Sequence, residues 1–72
     1  MVASGPRRRR PAEERTEALL DAAEAMLLAR GLSSTTVADV AEAAGVAKGT
    51  VYLYFESKDA LLTGLRARYL AR

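Results

Sequence analysis

Residues 36–58, Thr-Val-Ala-Asp-Val-Ala-Glu-Ala-Ala-Gly-Val-Ala-Lys-Gly-Thr-Val-Tyr-Leu-Tyr-Phe-Glu-Ser-Lys, decide the fold of this chain. Val37, Val40, Ala41 and Ala44 recur at three- and four-residue intervals, the spacing of one helix face. Thr36 stands where a helix cap belongs, and Asp39 three residues on completes a capping-box pattern. Gly45 ends this helix, and a second runs from about Ala47 or Lys48 to Tyr54. Val46, Val51 and Phe55 are expected in the core, while Ala47, Lys48, Thr50 and Leu53 fall on the open side. Two short helices joined by a tight glycine turn read as a helix-turn-helix, which seats one helix on a small core and offers its free face to the major groove of DNA.

The packing positions agree with one another. Counted from Val37, the residues Val40, Ala44, Val46, Val51 and Tyr54 fall where apolar side chains meet between the helices. Ala41 falls at the closest approach, and Gly45 at the turn, where a positive φ is easiest for glycine. Agreement of many positions with one packing arrangement outweighs any single match.

Outward from this segment the signals remain helical. Ser57 is a good cap for a further helix, with Asp59 in its first turn and Leu61, Leu62, Leu65 and Tyr69 on its inner face. Upstream, Leu32 to Thr35 form a short loop. Before them a helix is expected from near Ala12, just after Pro11, with Glu13 and Glu14 placed well against its dipole. Its inner face carries Leu19, Leu20, Ala23, Met26 and Leu27, and Arg30 with Gly31 supplies the stop. The expected architecture is an all-α small bundle with helices at about 12–30, 37–44, 48–54 and 58–71, forming one domain over 12–72. The last helix meets no glycine or proline stop before Arg72, so it reads as truncated and the chain as the N-terminal module of something longer.

Composition narrows the function. Seventy-two residues allow one marginal domain, and the abundance of alanine calls for a small, closely packed core. There is no cysteine and no histidine, which excludes disulfides, thiolate chemistry and the usual zinc sets. No metal ligands and no cofactor are expected. The acids lie on solvent-facing helix surfaces without a paired arrangement, so an enzyme is not expected. No apolar run approaches the roughly 18 residues of a membrane span, and Arg7–Arg10 is followed by a polar stretch rather than a signal-peptide core. The net charge of +2 is unevenly spread: residues 1–10 carry four arginines and no acid, residues 11–42 two arginines against seven acids, and residues 43–72 five basic groups against two acids. Positive charge therefore sits at the two ends of the chain rather than over all of it.

Each polar residue of the key segment carries a functional and a plain reading. Lys48 can donate to a guanine edge or a phosphate, and Thr50 can meet a thymine methyl or a phosphate. Gly49 removes a side chain where the helix meets the groove wall, or is simply a weak spot costing up to about 1 kcal/mol against alanine. Tyr52 and Tyr54 can each donate a hydroxyl to a phosphate, and Tyr54 is also apolar enough to pack. Leu53 leaves at most a methyl contact for base readout. Lys58 opens a helix, where its charge is disfavoured unless a phosphate rests on that helix end; otherwise it is a solvated surface lysine. Thr36 caps its helix in either reading and can also meet the DNA backbone, with Ser34 and Thr35 as weaker candidates. Arg7, Arg8, Arg9 and Arg10 read as a disordered arm over residues 1–11 that either enters a minor groove or adds only non-specific affinity. Arg66, Arg68 and Arg72 read as a solvated face.

Gly31, Thr36-Val37, Ala41, Ala44-Gly45-Val46, Lys48-Gly49-Thr50-Val51-Tyr52, Tyr54-Phe55 and Ser57-Lys58 together resemble the DNA-binding domain of the TetR family of transcriptional regulators. The resemblance covers about residues 12–70 and is most specific over 36–58. It implies a helical domain whose third helix reads the major groove of double-stranded DNA in the bacterial cytosol. Leu53 departs from the polar or larger residues common at that place in the family. Such proteins usually continue into a helical domain that forms a homodimer and binds a small-molecule inducer, and this sequence contains no such domain. The expected function is sequence-specific DNA binding for transcriptional control, most simply repression at a palindromic operator. The alternative is a helical protein–protein interaction module built on the tyrosines and leucines, which salt would distinguish from DNA binding.

Overall fold

The computed structural model describes residues 11–71, which form four helices: α1 (Pro11–Arg30), α2 (Val37–Ala44), α3 (Lys48–Tyr54) and α4 (Lys58–Ala71). The arginine arm lies outside the described residues. The helix expected after Pro11 takes in Pro11 itself, whose fixed φ suits a first helical turn that has no use for its missing N–H.

Local chemistry explains most of these boundaries. α1 places Glu13 and Glu14 in its first turn and Arg30 in its last, both favourable against the helix dipole. It stops at Gly31, whose φ of 89° is left-handed and whose N–H donates to the Leu27 carbonyl at 2.8 Å. The capping box of α2 is complete: the Asp39 N–H donates to Thr36 Oγ1 at 3.1 Å, and the Thr36 N–H donates to Asp39 Oδ2 at 3.0 Å. At its other end Gly45 (φ 75°) lets its own N–H reach the Glu42 carbonyl and that of Val46 reach Ala41, a Schellman termination. Ser57 caps α4 by accepting from the Ala60 N–H at 3.1 Å.

The core is one cluster drawn from all four helices: Leu19, Leu20, Ala22, Ala23, Val37, Val40, Ala41, Val51, Leu61 and Leu65. Leu27, Ala44, Val46 and Phe55 pack partly buried around it. Val51 is the buried anchor of α3, and Phe55 carries the same face into the following turn. Four expected inner positions stand outside the cluster, Met26 and Leu62 being half-buried beside it and Tyr54 and Tyr69 more open. Tyr54 is 38% exposed and stands outside the cluster; on so short a helix the inner stripe is filled by Val51 and Phe55. Tyr69 is half exposed because its hydroxyl donates to Glu24 on α1 instead of entering the core.

Gly64 lies on α4 against Phe55 and Leu20. A Cβ there would stand 3.1 Å from the Phe55 ring and 3.2 Å from Leu20 Cδ2, so the close approach depends on a missing side chain. On the same seam Arg68, expected on a solvated face, is instead held by α1. Its guanidinium meets Asp21 at 2.8 Å, Glu24 at 2.8 Å and Glu17 at 3.6 Å, and its side chain is only 14% exposed. The bond to Asp21, helped by the fields of all three acids, raises the guanidinium pKa above its ordinary value.

Candidate nucleic-acid interface

α3 turns its two faces to different surroundings. At about 100° per residue, Leu53 lies about 200° around the helix from Val51, nearly opposite the core, and Gly49 lies one turn earlier in the same row. Leu53 is 80% exposed, against complete burial for Val51. Tyr52 flanks this outer row on one side and Thr50 on the other. Lys48 and Tyr52 share a flank, and the ammonium of Lys48 sits 5.9 Å from the centre of the Tyr52 ring. That contact, favourable between a cation and an aromatic face, holds the lysine along the helix flank. Thr50 is half-buried rather than fully open, and Tyr54 projects on the flank away from Tyr52. Ala47 is exposed and forms the N-cap of α3 without a side-chain hydrogen bond.

A shallow groove runs beside the Lys48–Tyr52 flank, lined by Thr36, Val37, Ala38, Lys48, Tyr52, Glu56, Ser57 and Lys58. Three elements converge there: the first turn of α2, the flank of α3 and the first turn of α4. Of the residues singled out in the sequence, Thr36, Lys48, Tyr52 and Lys58 meet in this groove. Gly49, Thr50, Leu53 and Tyr54 lie on α3 outside it, as does the N-cap Ala47. Arg7, Arg8, Arg9 and Arg10 fall outside the described residues. Glu56 was not anticipated: it brings a carboxylate into an otherwise basic groove, and the only signal was its place between the Phe55 anchor and the Ser57 cap.

Lys58 has a role that neither reading of the sequence contained. Its Nζ donates to the Thr35 carbonyl at 2.8 Å and to the Leu32 carbonyl at 3.0 Å. The ammonium thus ties the start of α4 to the α1–α2 loop, and the two carbonyls offset its unfavourable place at a helix N-terminus. Two of three N–H donors are used, leaving one for another acceptor. The same loop is fixed from the other side by Thr35, named above as a weak contact candidate. Thr35 is 2% exposed, and its hydroxyl donates to the carbonyls of Gly31 at 2.8 Å and Met26 at 3.3 Å. It caps the C-terminus of α1 and is not available to a partner.

Thr36 remains exposed; its oxygen accepts from the Asp39 N–H, which leaves its second lone pair and its hydroxyl hydrogen for a partner. Asp39 is doubly engaged. Its carboxyl is held below the ordinary 3.8 first by the Thr36 backbone N–H and then by the Thr36 hydroxyl and Arg30, which pairs with it at 3.2 Å. Gly49 shows what the protein itself requires: a Cβ there would meet nothing within 4 Å. No internal packing reason keeps glycine at that point. Among the described residues no group of His, Cys, Asp and Glu could hold a metal ion, and no helix is long and apolar enough to cross a membrane.

The chain matches known proteins along the same segment. Residues 19–65 match the family model described as bacterial regulatory proteins, tetR family. The chain is 43% identical over 56 residues to the HTH-type transcriptional repressor KstR2 of Rhodococcus jostii, covering 78% of this chain and 27% of that protein. It is 39% identical over 59 residues to the HTH-type transcriptional regulator TtgR of Pseudomonas putida, covering 82% of this chain and 28% of that one. A crystal structure of a TetR-family transcriptional regulator from Haemophilus influenzae superposes with a TM-score of 0.81 at 32% identity, over 88% of this chain and 34% of that one. The chain therefore spans about a quarter to a third of the length of these relatives.

Proposed function

The chain belongs to the tetR family of bacterial regulatory proteins, and from that premise we propose that it binds double-stranded DNA in a sequence-specific way to regulate transcription. The observation that carries this reading is the convergence of Thr36, Lys48, Tyr52 and Lys58 in one groove beside the outer row of α3. The outer row, Gly49 and Leu53 with Thr50 beside it, enters the major groove. The groove residues straddle a phosphate strand: Lys48 and the remaining N–H of Lys58 supply charge, and the hydroxyls of Tyr52 and Thr36 supply neutral donors. Ala47 lies against the groove edge, and Tyr54 reaches a phosphate on the far flank. Arg7–Arg10 add phosphate or minor-groove contacts ahead of α1.

One such unit touches few bases, so useful affinity comes from a two-fold pair on a palindromic operator, with repression by occupancy. The match covers only about a quarter to a third of each relative's length, and none of the residues described above is assigned to pairing or to an inducer site. A protein-docking role draws on one specific feature, the exposed Leu53 with Tyr52 beside it. The basic groove alongside them favours an anionic partner over an apolar one.

Selection of duplexes from a random pool, followed by titration at several salt concentrations, tests the proposal. The expected result is an enriched half-site and an affinity that falls steeply with salt, in proportion to the phosphates contacted. Absence of enrichment together with salt-insensitive binding would reject it.

A further inference from the structure

The outer row of α3 has no hydrogen-bonding side chain at its crest. Gly49 contributes none and Leu53 contributes an isobutyl group that is 80% exposed, while Thr50 and Tyr52 lie to either side. A single exposed leucine is ordinary on a protein surface. This one differs by position, since it stands opposite the Val51 anchor on the helix flanked by the basic groove. A crest without donors or acceptors cannot distinguish base pairs by their hydrogen-bond patterns. The one apolar group on the base edges of the major groove is the 5-methyl of thymine. Gly49, one turn earlier, leaves the backbone bare where a Cβ would meet nothing in the protein, so the helix can settle deep enough for Leu53 to reach that methyl.

Resting on the DNA-binding reading above, we propose that Leu53 is a specificity residue that packs on the C5 methyl of one pyrimidine per half-site. It selects thymine through that methyl group and accepts 5-methylcytosine in preference to cytosine for the same reason. Readout at this position is independent of salt, because no charge takes part, whereas the neighbouring groove contacts are salt-dependent.

The test uses the 72-residue chain paired through a fused dimerising coiled coil, and the duplex it enriches from a random pool. Each thymine of that duplex is replaced in turn by deoxyuridine, which lacks only the methyl, and binding is followed by fluorescence anisotropy. Burial of one methyl group corresponds to about fourfold in affinity, so one position should lose about that factor. At that position Leu53→Ala should bind the thymine and uracil duplexes equally, while Leu53→Met, which keeps an apolar tip, retains the difference. With a guanine opposite, 5-methylcytosine at the same place should bind more tightly than cytosine by a similar factor. Because Leu53 lies outside the core, both variants should keep the parent helicity, read by circular dichroism.

Wild-type indifference to uracil at every position would overturn the assignment of Leu53, as would undiminished discrimination by Leu53→Ala. In either case a steep salt dependence would leave the DNA reading standing. A paired chain that binds no duplex at all overturns both.

Discussion

The seam between α1 and α4 and the outer side of α3 both look, by residue type, like charged helix surface, yet they are built oppositely. On the seam the cation is consumed: Arg68 is ringed by Glu17, Asp21 and Glu24, and Tyr69 donates to Glu24. Even the glycine there, Gly64, is filled against Phe55 and Leu20. On α3 the cation and the glycine are left over. Lys48 lies beside the Tyr52 ring, and Gly49 faces open space. Charge and small residues therefore signal an external partner only where the fold has not already used them. Lys58 sits between the two cases, with two donors spent inside and one left outside.

The largest effect should come from filling the seam. Gly64→Val forces branched atoms into a gap of just over 3 Å and should destabilise the fold by about 1–3 kcal/mol, measured by urea unfolding. Its DNA contacts, compared well below the unfolding midpoint, should be unchanged. Next is Lys58→Met, which keeps the alkyl stem and deletes the ammonium. It should cost about 1 kcal/mol, chiefly through the lost bond to the partly buried Thr35 carbonyl, and it should also lower the salt slope of DNA binding by about one. A slope left at the wild-type value would place Lys58 wholly on the inner side of the comparison.

Arg68→Met and Lys48→Met form the direct pair. The first should cost about 1 kcal/mol in stability, since its partners are partly exposed, and leave the salt slope alone. The second should reverse that pattern, with little change in urea midpoint and a slope lower by about one. If both variants behave alike, the distinction between spent and spare cations fails. Gly49→Ala is smaller still in stability and opposite in sign. Alanine suits a helix better by about 0.5–1 kcal/mol and clashes with nothing inside, so the domain should become more stable while binding DNA more weakly. Equal or tighter binding would remove Gly49 from the contact surface.

The smallest effect lies in acid. Asp39 has a folded pKa held below its ordinary 3.8, so its contribution is fully present above that value and is lost as pH falls through the lowered one. Asp39→Asn should therefore narrow its stability deficit relative to the parent as pH drops below about 4. Thermal melts of both proteins across that range would show it, and a constant deficit would assign the contribution to something other than this carboxylate.

Most of the fold was legible because its determinants are local. The Thr36–Asp39 box spans three residues, and the Gly45 turn closes bonds over three and five. Val40, Ala41 and Val51 follow from helical spacing alone. The groove was legible in part: Thr36, Lys48, Tyr52 and Lys58 were picked out as contacts, but their convergence and the presence of Glu56 required the packing of α2, α3 and α4. Of the two readings of Tyr54, the packing one does not hold, because periodicity does not say how many inner positions a seven-residue helix can fill.

By itself the sequence determined four helices, the caps of α2 and α4 and most of each apolar stripe, since caps and stripes depend on neighbours within about one turn of the chain. Only the tertiary structure decided which polar groups remain available. Lys58 finds its carbonyls 26 and 23 residues away, and Arg68 finds its carboxylates 47 and 44 residues away. Thr35 disappears beneath the end of α1. Whether a charged or hydroxyl side chain serves the fold or a partner depends on what stands across from it in space, and no spacing along the chain records that.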